Sequence, residues 1–186
     1  MAGVSGAGRL GDMKNASLLA ALLTSGLMAG LFASFAYAIM PALAGGSDRT
    51  FVETMQRINV SILNGWFMFC FLGALGFALL AAVLHWNGPA RWWIVAGFAL
   101  YLVMFLITSG VNVPLNDRLA AAGDPSEIHD LAAVREAFEA RWVLWNVVRA
   151  VTSTAAFGCL AWALVVAGRV PAETPQALPV AIPAGR

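Results

Sequence analysis

Long apolar runs separated by short polar stretches dominate the pattern of this chain. A bilayer core about 30 Å thick is crossed by roughly 20 apolar residues of α-helix. Runs of that length recur along the sequence, and polar residues concentrate where the runs end. We therefore predict four membrane-spanning helices, at about residues 17–40, 62–84, 92–113 and 150–167.

A secretory signal peptide is the alternative interpretation of the first run. Its uncharged stretch is longer than the roughly 7–15 residues of a typical signal core, and it reaches Pro41 without a clear cleavage site. We therefore expect it to be retained as a membrane helix. Residues 17–168 form the predicted transmembrane domain, residues 1–16 an N-terminal tail, and the Pro-rich residues 169–186 a disordered C-terminal tail.

The composition agrees with a membrane protein. Hydrophobic residues make up 60% of the 186 positions and charged residues only 11%, against about 25% charged in soluble domains. A net charge of +1 without clustered Lys and Arg argues against a nucleic-acid partner. Cys70 and Cys159 lie in apolar runs, where a thiol behaves as a small hydrophobe. We predict no metal site and no cofactor.

Antiparallel spans place both termini and the loop around residues 85–91 on one side of the membrane. Basic residues mark the cytoplasmic side of membrane proteins, but here they divide almost evenly between the two sides. Lys14 beside the first span favours cytoplasmic termini in a multi-pass protein of the cell membrane. The lipid bilayer is the expected environment, and a homo-oligomer is one alternative for the oligomeric state.

Two of the helices are predicted to extend beyond one membrane face. Thr50 and Glu53 have the spacing of a capping box, and so do Asp124 and Glu127, with Pro125 at the first helical position. The predicted fold is therefore an all-α membrane protein, a four-transmembrane-helix bundle with extended second and fourth helices. The extended helices are expected at about residues 51–84 and 126–166.

Polar and aromatic residues at the span ends form a second pattern. The antiparallel topology brings all of them to one face of the membrane. Asparagines between membrane helices often serve as hydrogen-bonding glue, and interfacial Trp and Arg often serve as anchors. The convergence of the whole set beside a proline favours a binding pocket. The set consists of Tyr37, Gln56, Asn59, Asn64, Asn112, Asn116, Trp142, Trp145, Asn146 and Arg149.

Pro114 interrupts the third span between two asparagines. It lacks an N–H and its ring clashes with the carbonyl of Gly110, so the helix is predicted to kink or stop there. Asn112 and Asn116 share one face if the helix continues. Irregular backbone at membrane depth requires burial in protein or a wet cavity.

One stripe of the fourth helix carries Trp142, Asn146, Arg149 and Ser153 at helical spacing. Arg149 lies near the edge of the hydrocarbon, where an unpaired charge is costly. We therefore expect its side chain to face the protein interior or to extend toward the interface.

Several motifs resemble the anthrone oxygenase-like membrane family. They are Ala29-Gly30-Leu31-Phe32, Tyr37 through Pro41, Met55-Gln56-Arg57-Ile58-Asn59, Asn64, Asn112-Val113-Pro114-Leu115-Asn116 and Trp145-Asn146-x-x-Arg149. The resemblance covers about residues 18–166. Gly65 departs from it, since proline is expected after Asn64.

The resemblance implies a cofactor-independent oxygenase that converts an anthrone to an anthraquinone with O₂. Its partners are then a small apolar aromatic substrate and O₂. The anion of an anthrone carries charge on the ring oxygen, and stabilising such an oxyanion is often the largest catalytic term. Arg149, Asn146, Asn116 and Asn112 are the candidate catalytic residues. Trp142, Trp145, Tyr37, Gln56, Asn59 and Asn64 are the candidate substrate-binding residues. The candidate bases are Glu53, Tyr37 and His129.

Two other functions stay open at this point. One is a non-catalytic membrane module that binds a lipid or quinone or scaffolds a partner enzyme. The other is a small transporter or pore, which needs a polar path through the whole bilayer. Because the polar residues gather at one face, the pore is the least favoured of the three.

Overall fold

The computed structural model describes residues 2–169, and every regular element in that range is helical. The predicted C-terminal tail from Val170 onward lies outside the described residues. Residues 2–16, assigned above to a tail, belong to the first helix. The α-helices are α1 (Ala2–Ser34), α2 (Met40–Ala44), α3 (Asp48–Ser61), α4 (Gly65–Leu84), α5 (Arg91–Ile107), α6 (Val113–Ala121) and α7 (Leu131–Gly168). Two π-helical turns, Phe35–Ile39 and Thr108–Asn112, join α1 to α2 and α5 to α6.

Within residues 2–169, four helical segments are long and apolar enough to cross a membrane, which confirms the predicted four-span architecture. They are Gly8–Ala44, Gly65–Leu84, Arg91–Ala121 and Leu131–Gly168. In the bundle α1 packs against α4 and α7, and α5 packs against the same two helices. The chain is therefore a helical multi-pass membrane protein with its four spans arranged as a square.

The half of the bundle nearest the chain termini is packed from small side chains. Ala78, Ala81 and Ala163 are fully buried there. A Cβ atom added to Gly97 would lie 2.9 Å from Cγ of Leu160, closer than real Cβ contacts come. Small residues let membrane helices approach closely, so this half leaves little free space. We call it the packed end.

The second predicted helix is two helices, so the expectation of one helix over residues 51–84 is wrong. The break falls between Ser61 and Gly65. Asn64 stabilises both helix ends, because its Oδ1 accepts from the Phe67 N–H at 3.0 Å and its Nδ2 donates to the Ser61 carbonyl at 3.1 Å. Side-chain capping of this kind satisfies groups that lack partners in the helix.

The predicted N-cap of α3 is three residues too late. The helix begins at Asp48, and Ser47 caps it by accepting from the Thr50 N–H at 3.2 Å. Thr50 therefore lies inside the helix that it was predicted to start.

The predicted start of the last long helix is also wrong. Asp124 caps a turn, accepting from the Ser126 N–H at 2.7 Å. The hydrogen bonds that Asp124 accepts from Ser126 lower the pKa of the Asp124 carboxyl group. The helix begins at Leu131, where Asp130 accepts from the Ala133 N–H at 2.9 Å.

Helices α2, α3 and α6 and the start of α7 form a small cap over the other end of the bundle. Its core contains Phe51, Met55, Leu119 and Phe138. Arg135 of α7 holds the cap together, and its contacts reach the chain between α2 and α3. It donates to the Gly46 carbonyl at 3.1 Å and to Asp48 at 3.0 Å, and it pairs with Glu139 at 2.6 Å.

Candidate functional site

A cavity of about 590 Å³ lies beneath the cap, between the two π turns and α7. Its volume falls in the range of about 300–1,000 Å³ that small-molecule sites occupy. Its lining is mostly apolar. The lining residues are Phe32, Phe35, Gln56, Asn59, Val60, Ile62, Leu63, Phe67, Met68, Phe71, Thr108, Val113, Asn116, Asp117, Ala120, Trp142 and Arg149.

Aromatic rings form much of the cavity wall. Phe67 and Phe71 stack with their ring centroids 5.3 Å apart, and Phe35 lies 5.6 Å from Trp142. Aromatic faces offer rigid apolar area with preferred offset or edge contacts to another ring. The wall therefore suits a flat aromatic molecule.

Arg149 is the one buried cation among the described residues, with only 5% of its surface exposed. Its guanidinium carbon lies 4.6 Å from the ring centroid of Phe32 and 5.2 Å from that of Trp142. Its Nη2 donates to Oδ1 of Asn146 at 2.9 Å, and its buried Nε has no hydrogen-bond partner. Of the two orientations that the sequence left open for this side chain, the structure shows the inward one.

No carboxylate among residues 2–169 forms an ion pair with Arg149. A buried charge is costly unless it is paired and fully hydrogen-bonded. Cation–π contacts with two rings recover only part of that cost. Arg149 therefore leaves the cavity with an uncompensated positive charge that an anionic ligand would neutralise.

Other residues of the predicted stripe on α7 orient the Arg149 side chain. Trp142, Asn146, Arg149 and Ser153 are all buried along one face of the helix. The Ser153 hydroxyl donates to the Arg149 carbonyl at 2.6 Å, and Nδ2 of Asn146 donates to the Phe32 carbonyl at 3.1 Å. Asn146 therefore bonds both the guanidinium and the neighbouring helix α1, although it does not line the cavity.

Asn112 and Asn116 both contact Trp142. Nδ2 of Asn112 donates to the Trp142 carbonyl at 3.3 Å, and the indole Nε1 donates to Oδ1 of Asn116 at 2.8 Å. Asn112 is buried behind the wall, whereas Asn116 lines the cavity. Asn116 therefore holds the indole and Asn112 holds the backbone of Trp142, and of these two asparagines only Asn116 lines the cavity.

Each π turn precedes a proline in the next helix. Pro114 has no N–H to donate, and the helical chain does not stop there: it continues through a π turn in which the Val113 N–H bonds to the Thr108 carbonyl. Pro41 follows the first π turn in the same way, and the Met40 N–H bonds to Phe35. Such turns occur frequently at functional sites, and here both border the cavity through Phe35 and Thr108.

Two predicted binding residues on α3 line the cavity, Gln56 and Asn59. Nε2 of Gln56 donates to the Leu119 carbonyl at 2.8 Å and to the Gly123 carbonyl at 3.0 Å, so it joins α3 to α6. Nδ2 of Asn59 is buried without a partner.

Three predicted binding residues lie outside the cavity lining. Tyr37 points outward with 73% of its surface exposed. Trp145 is half-buried on another side of α7, and Asn64 caps α4. Of the candidate bases, Glu53 pairs with Arg57 on α3 and His129 is exposed before α7, so neither reaches the cavity.

Sequence reasoning missed Asp117, the one Asp or Glu that lines the cavity. The signal was present, since Asp117 directly follows Asn116. It went unused because the third span was predicted to end near residue 113, whereas α6 continues to Ala121. Val113, Asn116, Asp117 and Ala120 consequently share the face of α6 that borders the cavity. Within residues 2–169 no group of His, Cys, Asp and Glu is arranged to hold a metal ion.

The fold and cavity define a class: a polytopic helical membrane protein with an aromatic-walled site and a buried arginine. The anthrone oxygenase family matches residues 61–159, more than half of the chain. The protein therefore belongs to the anthrone oxygenase family. No curated protein and no solved structure matches the chain.

Proposed function

We propose that the protein is a cofactor-independent oxygenase that oxidises an anthrone-like phenolic substrate to a quinone with O₂. The observation that carries the proposal is Arg149, a buried cation at the wall of an aromatic cavity that has no carboxylate partner within residues 2–169. Membership of the anthrone oxygenase family supports the same reaction class.

The proposed reaction needs no electrons beyond those of the substrate. Loss of a methylene proton gives an anion whose charge spreads onto the ring oxygen. The anion transfers electrons to O₂ and forms a C–O bond, giving a peroxide that takes up one proton. Loss of the second methylene proton with cleavage of the O–O bond then gives the quinone carbonyl and one water. One oxygen atom ends in the quinone and the other in water.

The site offers what this chemistry requires of a protein. Arg149 and the amide of Asn116 supply donors for an oxyanion, and preorganised donors in a dry site stabilise developing charge strongly. Trp142 and the phenylalanine rings flank a planar substrate. Val60 and Leu63, 75% and 67% exposed, form an apolar rim that suits a substrate arriving from the membrane.

The test is oxygen uptake and quinone absorbance with a hydroxylated anthrone and the purified protein in nanodiscs. Empty nanodiscs are the baseline, because anthrones oxidise spontaneously. Arg149→Ala should return the rate to that baseline. Arg141→Ala, at an exposed arginine of the same helix that forms no ion pair within residues 2–169, should retain the rate. A wild-type rate equal to the baseline would contradict the proposal, and ligand binding without oxygen uptake would favour the non-catalytic module.

The predicted sidedness completes the proposal. We place the termini in the cytoplasm and the cavity near the opposite face of the cell membrane. Labelling of single cysteines introduced at residues 9 and 87, compared with residues 57 and 124, would test this arrangement. The homo-oligomer stays a prediction that mass photometry of the nanodiscs can test.

A further inference from the structure

Asp117 has the position and the freedom to react with a bound molecule. It lies on α6, beside Asn116, on the face that borders the cavity. Of the described acidic residues it alone lines this space. Within residues 2–169 its carboxylate forms no ion pair and no side-chain hydrogen bond. The Asp117 carboxylate is therefore not engaged in an ion pair or a side-chain hydrogen bond with any described residue.

The two charged residues of the cavity lie at different depths. Arg149 is almost fully buried among the rings of Phe32 and Trp142, whereas Asp117 is exposed, one helical turn after the exposed lining residue Val113. They do not form an ion pair with each other. The cavity therefore has a cationic inner end and a carboxylate at its mouth, joined by an aromatic wall.

An anthrone has its reactive groups arranged in the same way. Its carbonyl carbon and its methylene carbon occupy opposite corners of the central ring. A molecule whose carbonyl oxygen lies at the inner end, against Arg149, directs its methylene group toward the mouth. This orientation brings the C–H bonds to the side of the cavity where Asp117 lies.

We propose that Asp117 is the general base that removes the methylene proton of the substrate. This inference rests on the proposed function and names the residue that carries out the first step of the proposed reaction. The carboxylate of Asp117 takes the proton, and the electron pair of the broken C–H bond moves into the ring system and onto the oxygen that faces Arg149. An aspartate performs this chemistry beside a carbonyl when donors stabilise the resulting anion.

The position of Asp117 also explains where the proton goes. The carboxylic acid formed in the first step lies at the mouth, beside the rim that O₂ must pass. It returns its proton to the peroxide formed from O₂, and the free carboxylate accepts the second methylene proton as the O–O bond breaks and hydroxide leaves. Asp117 then passes this proton to the hydroxide, which becomes water. Asp117 ends the cycle ionised, and the two methylene hydrogens leave as water.

The remaining polar groups of the cavity do not fit this role. Gln56 and Asn59 carry neutral amides, the Thr108 hydroxyl donates to the Met104 carbonyl at 3.0 Å, and Arg149 is a cation. Glu53 is paired with Arg57 away from the lining. A carboxylate of suitable geometry contributes about 100- to 10,000-fold as a general base.

The experiment is hydrogen–deuterium exchange at the methylene group of a hydroxylated anthrone, without O₂, in protein-containing nanodiscs. This assay reports proton removal whether or not oxidation follows. Asp117→Asn should lower the protein-dependent exchange rate at least 100-fold while the quinone product still binds. Asp117→Glu should recover part of the rate. Glu127→Gln, an exposed acid in the turn after α6, is the matched control and should exchange at the wild-type rate.

The outcomes separate this inference from the proposed function. Exchange that depends on Asp117 without oxygen uptake supports the base and contradicts the oxygenase. Oxygen uptake with unchanged exchange in Asp117→Asn overturns the base and leaves the oxygenase standing. Absence of protein-dependent exchange in the wild type overturns the base as well. A loss of exchange that the product-binding assay traces to lost binding also overturns it.

Discussion

The two ends of the bundle are built on different principles. The packed end consists of alanines, Gly97 and a few larger side chains in close contact. The cap end consists of large rings around a cavity of about 590 Å³. The difference indicates a division of labour: close packing at one end positions the helices, and this allows the other end to stay open.

Departures from regular helix chemistry gather at the cap end. Both π turns lie there, as do the buried side-chain atoms without hydrogen-bond partners among the described residues: Asn59 Nδ2, Asn112 Oδ1 and Arg149 Nε. Real proteins break local rules mainly at functional sites. On the proposed function, this region trades stability for ligand binding, whereas the packed end supplies stability.

The largest predicted effect on the cap end is that of Arg149→Met. Replacing the buried guanidinium by an apolar chain should lower quinone formation about 100- to 1,000-fold, the usual loss for one oxyanion donor. It should also leave the free energy of unfolding unchanged or raise it by about 1–4 kcal/mol, because an uncompensated buried charge disappears. Rates and thermal unfolding in nanodiscs measure both quantities.

The control is Arg135→Met in the same helix. Arg135 pairs with Asp48 and Glu139, so this variant should unfold at a lower temperature than the wild type. Equal destabilisation by the two substitutions would contradict the view that Arg135 is paired with carboxylates whereas the buried Arg149 has no carboxylate partner among residues 2–169.

Gly97→Leu tests the packed end. The new side chain meets Leu160 and the Ala156 carbonyl, so overpacking should cost about 1–3 kcal/mol of unfolding free energy. Gly76→Leu on α4, where a Cβ meets nothing within 4 Å, should be close to neutral. Thermal unfolding of both variants measures the difference, and similar losses would show that the packed end is not close-packed.

Trp142→Phe should have a smaller effect at the cap end. It removes the hydrogen bond to Asn116, worth about 0.5–1.5 kcal/mol, but keeps an aromatic ring near Arg149. We expect a fall in kcat/KM of about 3- to 10-fold, with Trp66→Phe, an exposed tryptophan, as the control. An unchanged kcat/KM would mean that the indole N–H does not help position the site.

The smallest predicted effect is a pH dependence at the packed end. His85 is buried after α4, and desolvation, opposed by its hydrogen bond to the Ala81 carbonyl and aided by the charge of Lys14, lowers its pKa. The unfolded chain then binds a proton more readily than the folded one. Stability should therefore fall as the pH drops below about 6.5.

His85→Asn is the matching variant for this prediction, since it cannot titrate in that range. Its unfolding temperature should vary less than that of the wild type between pH 7.5 and about 5. Parallel curves for the two proteins would contradict a role for His85.

The membrane spans were predictable because the bilayer fixes their length, and Arg149 was predictable because hydrocarbon forces a charge inward. The helix starts were harder to predict. Thr50 and Asp124 fit a capping pattern, but Ser47 and Asp130 cap the helices in the fold. The local sequence does not show which residue of each pair is the cap.

The π turns and the continuation of the third span into α6 depended on information that the sequence does not carry. A proline shows only that one backbone N–H donor is absent. A kink, a helix end or a π turn can each accommodate that absence. Because Pro114 leads into a further helix, Asp117 reaches the cavity face. The break at Asn64 had a local signal, since the residue caps helices well, but the residue was interpreted as a ligand contact.

The most direct measurement of the central claim is the ionisation of a phenol bound in the cavity. A hydroxylated anthraquinone that cannot be oxidised further would be titrated by absorbance in nanodiscs, with wild-type protein and with Arg149→Met. An uncompensated cation at the inner end should lower the pKa of the bound phenol by at least one unit in the wild type and not in the variant. An equal pKa in both proteins would contradict the assignment of Arg149 as the group that stabilises the substrate anion.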